Sequence, residues 1–193
     1  WNNSKILAYW KYDDATKPGK DSHSWLGRLN NIRTALQGQQ GDRRLRLGIA
    51  GGEWKKMMAD ATARTRFASE VKKIIEQYDF DGVDFDFEWP TNTNEFNNYS
   101  ATVIQMRSTL GKYVYFTASL HPVSFKISPE AIDALDFISY QCYGPAVMRF
   151  PYEQFVKDGE MAITYGIPKN KLVMGVPFYG STGSLIAAYY DFV

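Results

Sequence analysis

Six apolar runs of strand length punctuate the chain: KILAYW at 5–10, RLRLGIAGG at 44–52, FDGVDFDFEW at 80–89, KYVYFTASL at 112–120, DFISYQCYG at 136–144 and KLVMGVPFYG at 171–180. Between several of them apolar residues recur at three- and four-residue steps. Phe67, Val71, Ile74, Ile75 and Tyr78 form one such series and Phe96, Tyr99, Val103, Met106 and Leu110 another, the period of a helix with one apolar face. A strand, then a helix, then a strand implies parallel pairing through crossovers, hence an α/β fold. At 193 residues the chain has the length of one large domain, and neither a low-complexity linker nor a sequence repeat beyond this alternation divides it. The expectation is a single domain over residues 1–193.

Two α/β architectures compete. An open, doubly wound nucleotide-binding sheet wants a glycine-rich turn after its first strand. KILAYW is followed by KYDDATKPGK, which offers none, and Gly51-Gly52 after the second run lacks the further glycines and the phosphate-facing lysine. An eightfold (β/α)8 barrel of the TIM type is therefore favoured, with its functional groups at the carboxyl ends of the strands.

The acidic run FDGVDFDFEWP ends its strand at that position. Side chains alternate across a strand, so Asp84, Asp86 and Glu88 share one face and Val83, Phe85 and Phe87 the other. Carboxyls about 7 Å apart along a strand, in a poorly hydrated barrel interior, cannot all ionise freely. At least one proton is then retained and shared, and a carboxyl kept protonated near neutral pH is a general acid. Three other readings stay open beside the catalytic one: a hard-cation site for Mg²⁺ or Ca²⁺, the solvated face of an amphipathic strand, and a structural acidic network without catalysis, as in a lectin-like protein.

Composition narrows the partners. Lys and Arg number 22 against 21 Asp and Glu with no block of like charge, which argues against nucleic acid or an anionic membrane surface as the main partner. No apolar run approaches the roughly 20 residues that span a bilayer. A single cysteine, Cys142, and two histidines, His23 and His121, argue against an intrachain disulfide framework and a multi-Cys or multi-His metal centre. Asn2-Asn3-Ser4 and Asn98-Tyr99-Ser100 are glycosylation sequons.

The string Asp81-Gly82-Val83-Asp84-Phe85-Asp86-Phe87-Glu88 resembles the DGxDxDxE signature of glycoside hydrolase family 18, the chitinases and their relatives. Gly51-Gly52 is similar to the end of that family's third barrel strand, Gln141-Cys142-Tyr143 to its sixth, and Gly175-Val176-Pro177-Phe178-Tyr179-Gly180 to its seventh. The resemblance implies a retaining, substrate-assisted hydrolysis of β-1,4 N-acetylglucosamine linkages, without cofactor or metal. Glu88 would be general acid and then base. Asp86 would orient the sugar's 2-acetamido group, Asp84 would share a proton with Asp86, and Tyr143 would donate to the acetamido carbonyl. Tyr9, Trp89, Gln141 and Tyr179 would surround the sugar subsites, although Tyr9 and Tyr179 could instead cap the core and Trp89 could pack beside the acid. The implied partner is chitin or an N-acetylglucosamine oligosaccharide, with no nucleic acid and no membrane insertion, and a polymeric substrate implies secretion. A non-hydrolysing chitin-binding barrel and an endo-N-acetylglucosaminidase acting on glycoprotein glycans are the alternatives.

The chain departs from the family pattern in four places. Ile49 stands where a small hydroxyl residue is common, Gly144 where many members have Asp, and Phe87 where Trp often precedes the acid. The largest departure is length. The second and eighth strands are not identifiable, only one helix-like segment, Leu26 to Leu36, lies between Trp10 and Arg44, and a complete barrel has about 250 residues. The expectation is that the sequence omits stretches of a longer protein and that residues 181–193 begin a small insertion.

Overall fold

The computed structural model of the protein describes residues 25–37, 43–144, 151–177, 179–182 and 185–188. The first run, KILAYW, lies outside them, and so does Tyr9. Helix α1 (Trp25–Gln37) precedes β1 (Arg46–Ile49), α2 (Trp54–Ala59), α3 (Ala61–Gln77), β2 (Gly82–Phe85), α4 (Thr93–Leu110), β3 (Tyr115–Leu120), α5 (Pro129–Ala134), β4 (Phe137–Gln141), α6 (Tyr152–Tyr165) and β5 (Leu172–Gly175). A hairpin of β6 (Tyr179–Thr182) and β7 (Leu185–Ala188) follows.

Helix boundaries carry the expected local chemistry. Asp60 caps α3 by accepting from the amides of Thr62 and Ala63. Asn92 caps α4 by accepting from the Glu95 amide, while the Glu95 carboxylate reaches back to the Thr91 amide at 2.7 Å. Gly166 ends α6 at φ +118°, a left-handed conformation that a side chain would strain.

Strands β1 to β5 form one sheet in chain order, each parallel to its neighbour. A doubly wound sheet reverses its order at a switch point, whereas steady progress in one direction through right-handed crossovers builds a barrel wall. The barrel-type α/β expectation holds to this extent: five strands form an arc of such a wall. Among the described residues no strand precedes β1.

One expected strand is corrected. The run at 171–180 is not continuous, because β5 ends at Gly175 and a separate antiparallel strand starts at Tyr179. Pro177 between them has no amide proton to give a ladder. The acidic strand is also shorter than its apolar run: β2 stops at Phe85, and a single further ladder bond, from the Asp86 amide to the Ile49 carbonyl at 2.9 Å, extends it.

The register assigns the two faces. Val83, Phe85, Phe116, Ala118, Ile138 and Tyr140 are fully buried against the helices. They meet Phe67 and Val71 of α3 and Tyr99, Val103 and Met106 of α4, periodic positions that the sequence singled out, together with Ala68. Phe85 is the hub, with Phe116 at 4.8 Å, Phe87 at 5.2 Å and Phe67 at 5.8 Å between ring centroids. Burial of each such ring contributes about 2–3 kcal/mol.

The amino ends of the strands are held by polar brackets. The Arg107 guanidinium donates to the carbonyls of Ala134, Gly111 and Val114 and to Asp136 at 2.7 Å, and Asp136 also accepts from the Phe116 amide. Lys171 donates to three carbonyls at the end of α5, those of Ile132, Asp133 and Leu135. Asp81 belongs to this end, where it accepts from the Leu45 amide at 2.6 Å. It is therefore the carboxylate of the acidic run that ties the amino end of β2 to the chain entering β1. Gly82 is required beside it, because a Cβ there would lie 2.0 Å from the Tyr115 carbonyl oxygen.

Candidate active site

On the other face of the same strands, Asp84 and Asp86 are half-buried and Glu88 is exposed, a gradient that runs toward the carboxyl ends. Parity carries this arrangement past the last regular residue of β2, since Phe87 stays buried between Asp86 and Glu88. The loop that follows is fixed from two sides. Trp54 Nε1 donates to the Glu88 carbonyl at 3.3 Å, and Ser124 Oγ donates to the Pro90 carbonyl at 2.5 Å. The Glu88–Trp89 peptide between them is cis.

Asp84 is held by donors on both oxygens. Thr117 Oγ1 donates to Oδ1, Ser119 Oγ donates to Oδ2 at 3.0 Å, and Arg46 Nη1 lies 3.4 Å from Oδ1. Asp86 accepts a hydrogen bond from Gln141 Nε2 at 3.3 Å. Burial, then the charges of Glu88 and Asp84, push the Asp86 carboxyl above the ordinary carboxylate range, and the Gln141 bond offsets part of this.

Gln141, a polar residue near the end of an apolar run, has its partner in that carboxylate. Tyr143 lies just beyond β4, half-buried, with its ring edge 3.4 Å from the point a Cβ on Gly175 would occupy. Its carbonyl and that of Gly144 accept from His121 Nε2 at 2.9 and 2.7 Å, while His121 Nδ1 accepts from the Val123 amide at 3.2 Å. Those partners assign the proton of the neutral ring to Nε2. Trp89 is half-buried with its ring 4.6 Å from that of His121, and its buried indole N–H has no hydrogen-bond partner among the described residues. Its ring thus packs on that of His121. Tyr179 opens β6, and its side chain lies outside the described residues, as does all of Tyr9.

The structure thus brings Asp84, Asp86 and Gln141 together on the face of the sheet away from the helices, with Glu88 close enough for its charge to act on Asp86, and places Trp89 and Tyr143 just past the ends of β2 and β4. Sequence reasoning missed the supports: Arg46, Thr117 and Ser119 around Asp84, and His121 and Ser124 under the loop. The alternation Thr117, Ser119, His121 in FTASLH is the signal that could have found three of them, once the register with β2 is known. Among the described residues no group of three Asp, Glu, His or Cys converges as a metal site.

Comparison with known proteins bears on the same residues. The profile of the family described as Glycosyl hydrolases family 18 matches residues 5–189. Probable chitinase 2 of Drosophila melanogaster is 27% identical over 175 aligned positions, covering 75% of this chain and 36% of that protein. The endochitinase of Manduca sexta is 28% identical, covering 72% of this chain and 32% of that one. The chain therefore spans about a third of these curated relatives. Among solved structures, a GH18 chitinase from the chitin utilization locus of Flavobacterium johnsoniae superposes with a TM-score of 0.74 at 22% identity, over 85% of this chain and 60% of that one.

Proposed function

The chain belongs to glycosyl hydrolases family 18, and from that premise we propose that it carries the acidic machinery of a chitinase-like glycosidase that cleaves β-1,4 N-acetylglucosamine linkages with retention. The observation that carries this reading is the succession of Asp84, Asp86 and Glu88 from half-buried to exposed toward the carboxyl end of β2, with Gln141 bonded to the middle carboxyl.

Glu88, at the open end, gives its proton to the glycosidic oxygen as the bond from that oxygen to the anomeric carbon breaks. The carbonyl oxygen of the sugar's own 2-acetamido group attacks the anomeric carbon, and the positive charge passes to an oxazolinium ring. Asp86, ionised at that moment, accepts the acetamido N–H and faces the developing charge, and Gln141 holds its other side. Tyr143 donates its hydroxyl to the acetamido group. Water then opens the ring, Glu88 takes its proton, and two inversions leave the configuration retained. Trp89, against His121, keeps the segment behind Glu88 in place. Tyr9 and Tyr179 are proposed to border the subsites, and the polymeric substrate places the reaction outside the cell.

The test is release from a fluorogenic chitooligosaccharide, with and without chelator, beside Glu88→Gln. Release that survives chelator and falls about 10²- to 10⁴-fold in the variant is expected. Oligosaccharide binding without release in either protein would leave a lectin in place of the hydrolase, and chelator-sensitive release would make the stripe a cation site.

A further inference from the structure

Two segments that leave different strands border the reacting end, and one side chain joins them. His121 follows β3 and is 1% exposed. Its Nε2 lies 2.9 Å from the Tyr143 carbonyl and 2.7 Å from that of Gly144, and its ring centroid lies 4.6 Å from that of Trp89 at an angle of 35°. Tyr143 comes just after β4 and Trp89 after β2, the two neighbours of β3 in the sheet. A side chain at the end of the middle strand reaches both.

The imidazole is itself held. Nδ1 accepts from the Val123 amide at 3.2 Å, and the backbone pairs His121 with Ser124 in a short antiparallel bridge. A ring that accepts at Nδ1 has its hydrogen on Nε2, so one N–H is shared between two consecutive carbonyls. Gly144 makes this convergence possible by turning the chain at φ +45°. On its other side the Tyr143 ring meets bare backbone at Gly175, where a Cβ would lie 3.4 Å from the ring and 3.1 Å from the Tyr140 carbonyl oxygen. The Trp89 indole N–H has no hydrogen-bond partner among the described residues, so that ring is oriented by contact and not by a hydrogen bond.

We propose that His121 is a positioning residue that sets the spacing between the Glu88–Trp89 segment and Tyr143, its ring holding the first and its Nε2–H the second. The two holds differ in chemistry and are therefore separable. Phe at this position keeps a ring for Trp89 and offers the carbonyls no donor, whereas Gln places an amide N–H near the site of Nε2 and has no ring. The catalytic consequence rests on the hydrolase reading above, in which Glu88 and Tyr143 act on one sugar; the two holds do not.

The experiment compares His121→Phe and His121→Gln by NMR in the full chain. Trp89 is followed as 5-fluorotryptophan by ¹⁹F, assigned with Trp89→Phe, and Tyr143 and Gly144 by their backbone carbonyl ¹³C resonances. The Trp89 signal should move in His121→Gln and stay in His121→Phe, and the two carbonyl signals should do the reverse. The opposite pattern, or no movement in either variant, overturns the inference. The unmodified protein decides should a variant fail to fold: its long-range ¹⁵N spectrum must show the His121 hydrogen on Nε2, and one on Nδ1 overturns the assignment. On a fluorogenic chitooligosaccharide each variant should lower kcat about tenfold with KM changed less than about twofold, because each displaces a group that acts as the bond breaks. His121→Phe should add no further loss to Tyr143→Phe, since it acts through that tyrosine; an additive loss, or full kcat in both variants, defeats the positioning role. The expected resonance shifts in a protein that releases nothing would sink the hydrolase reading alone, whereas an active enzyme in which neither variant moves its segment would sink the role of His121 alone.

Discussion

Val83 and Phe85 are sealed among helix side chains, while Asp84 and Asp86, their immediate neighbours in sequence, line a polar concave surface. The odd positions of one strand bear the fold and the even positions bear the chemistry. This is possible because a barrel wall gives its convex face to the helices and its concave face to the site. In a sheet covered by helices on both faces, the same carboxyls would lie in apolar surroundings at a cost of several kcal/mol each. The family's acidic signature is thus readable as a strand with two incompatible faces, and the arc geometry is what reconciles them.

The division breaks most visibly at Phe85. Phe85→Ala removes the ring that contacts Phe67, Phe87 and Phe116 and should cost about 3–5 kcal/mol in denaturant unfolding. Glu88→Gln, three residues on, should stay within about 0.5 kcal/mol of the parent. If the two variants unfold alike, the faces are not separate in function.

An intermediate effect is expected at Ser124, where the two faces meet. Its hydroxyl holds the Pro90 carbonyl, and Ser124→Ala leaves that buried acceptor unpaired for about 1–3 kcal/mol. Because the loop behind Glu88 loses a support, kcat/KM should fall together with the melting temperature. A fall in melting temperature with full activity would show that the loop is held by Trp54 alone.

The smallest effects are electrostatic and of opposite sign. The ammonium of Lys55, with help from Thr91, holds Glu95 at about 2. The folded chain binds that proton less tightly than the unfolded one, so the stability Glu95 brings is present above the ordinary carboxylate range and is lost as pH falls toward about 2. Asp86 is raised instead, so the folded chain binds its proton more tightly and stability declines as pH climbs from the ordinary range through the raised value. Solvent screens both groups, which keeps these terms small. Melting temperatures across acid to neutral pH should lose the acid-side rise in Lys55→Met and the later decline in Asp86→Asn. Parallel curves for all three proteins would show that neither carboxyl is shifted by folding.

Much of this molecule was legible from local pattern. The helical series of α3 and α4 reappear as their buried faces, and the parity of residues 83–88 predicted which side chains enter the core and which enter the site. Such features depend on the period of a strand or helix, which any short window carries. The break at Pro177 was written in the sequence too, and apolar continuity outweighed it in the reading. The roles of Arg46, Thr117, Ser119, His121 and Ser124 were not legible. Each depends on which residue of one strand stands beside which residue of another, and nothing in the sequence of a single strand contains that register. The identity of the carboxyls and the face they share were therefore determined by the sequence alone. Which of them meets a cation, which meets an amide and which meets solvent was decided by the tertiary structure, because a carboxyl's proton affinity is set through space by its neighbours and those neighbours come from three other strands and a helix.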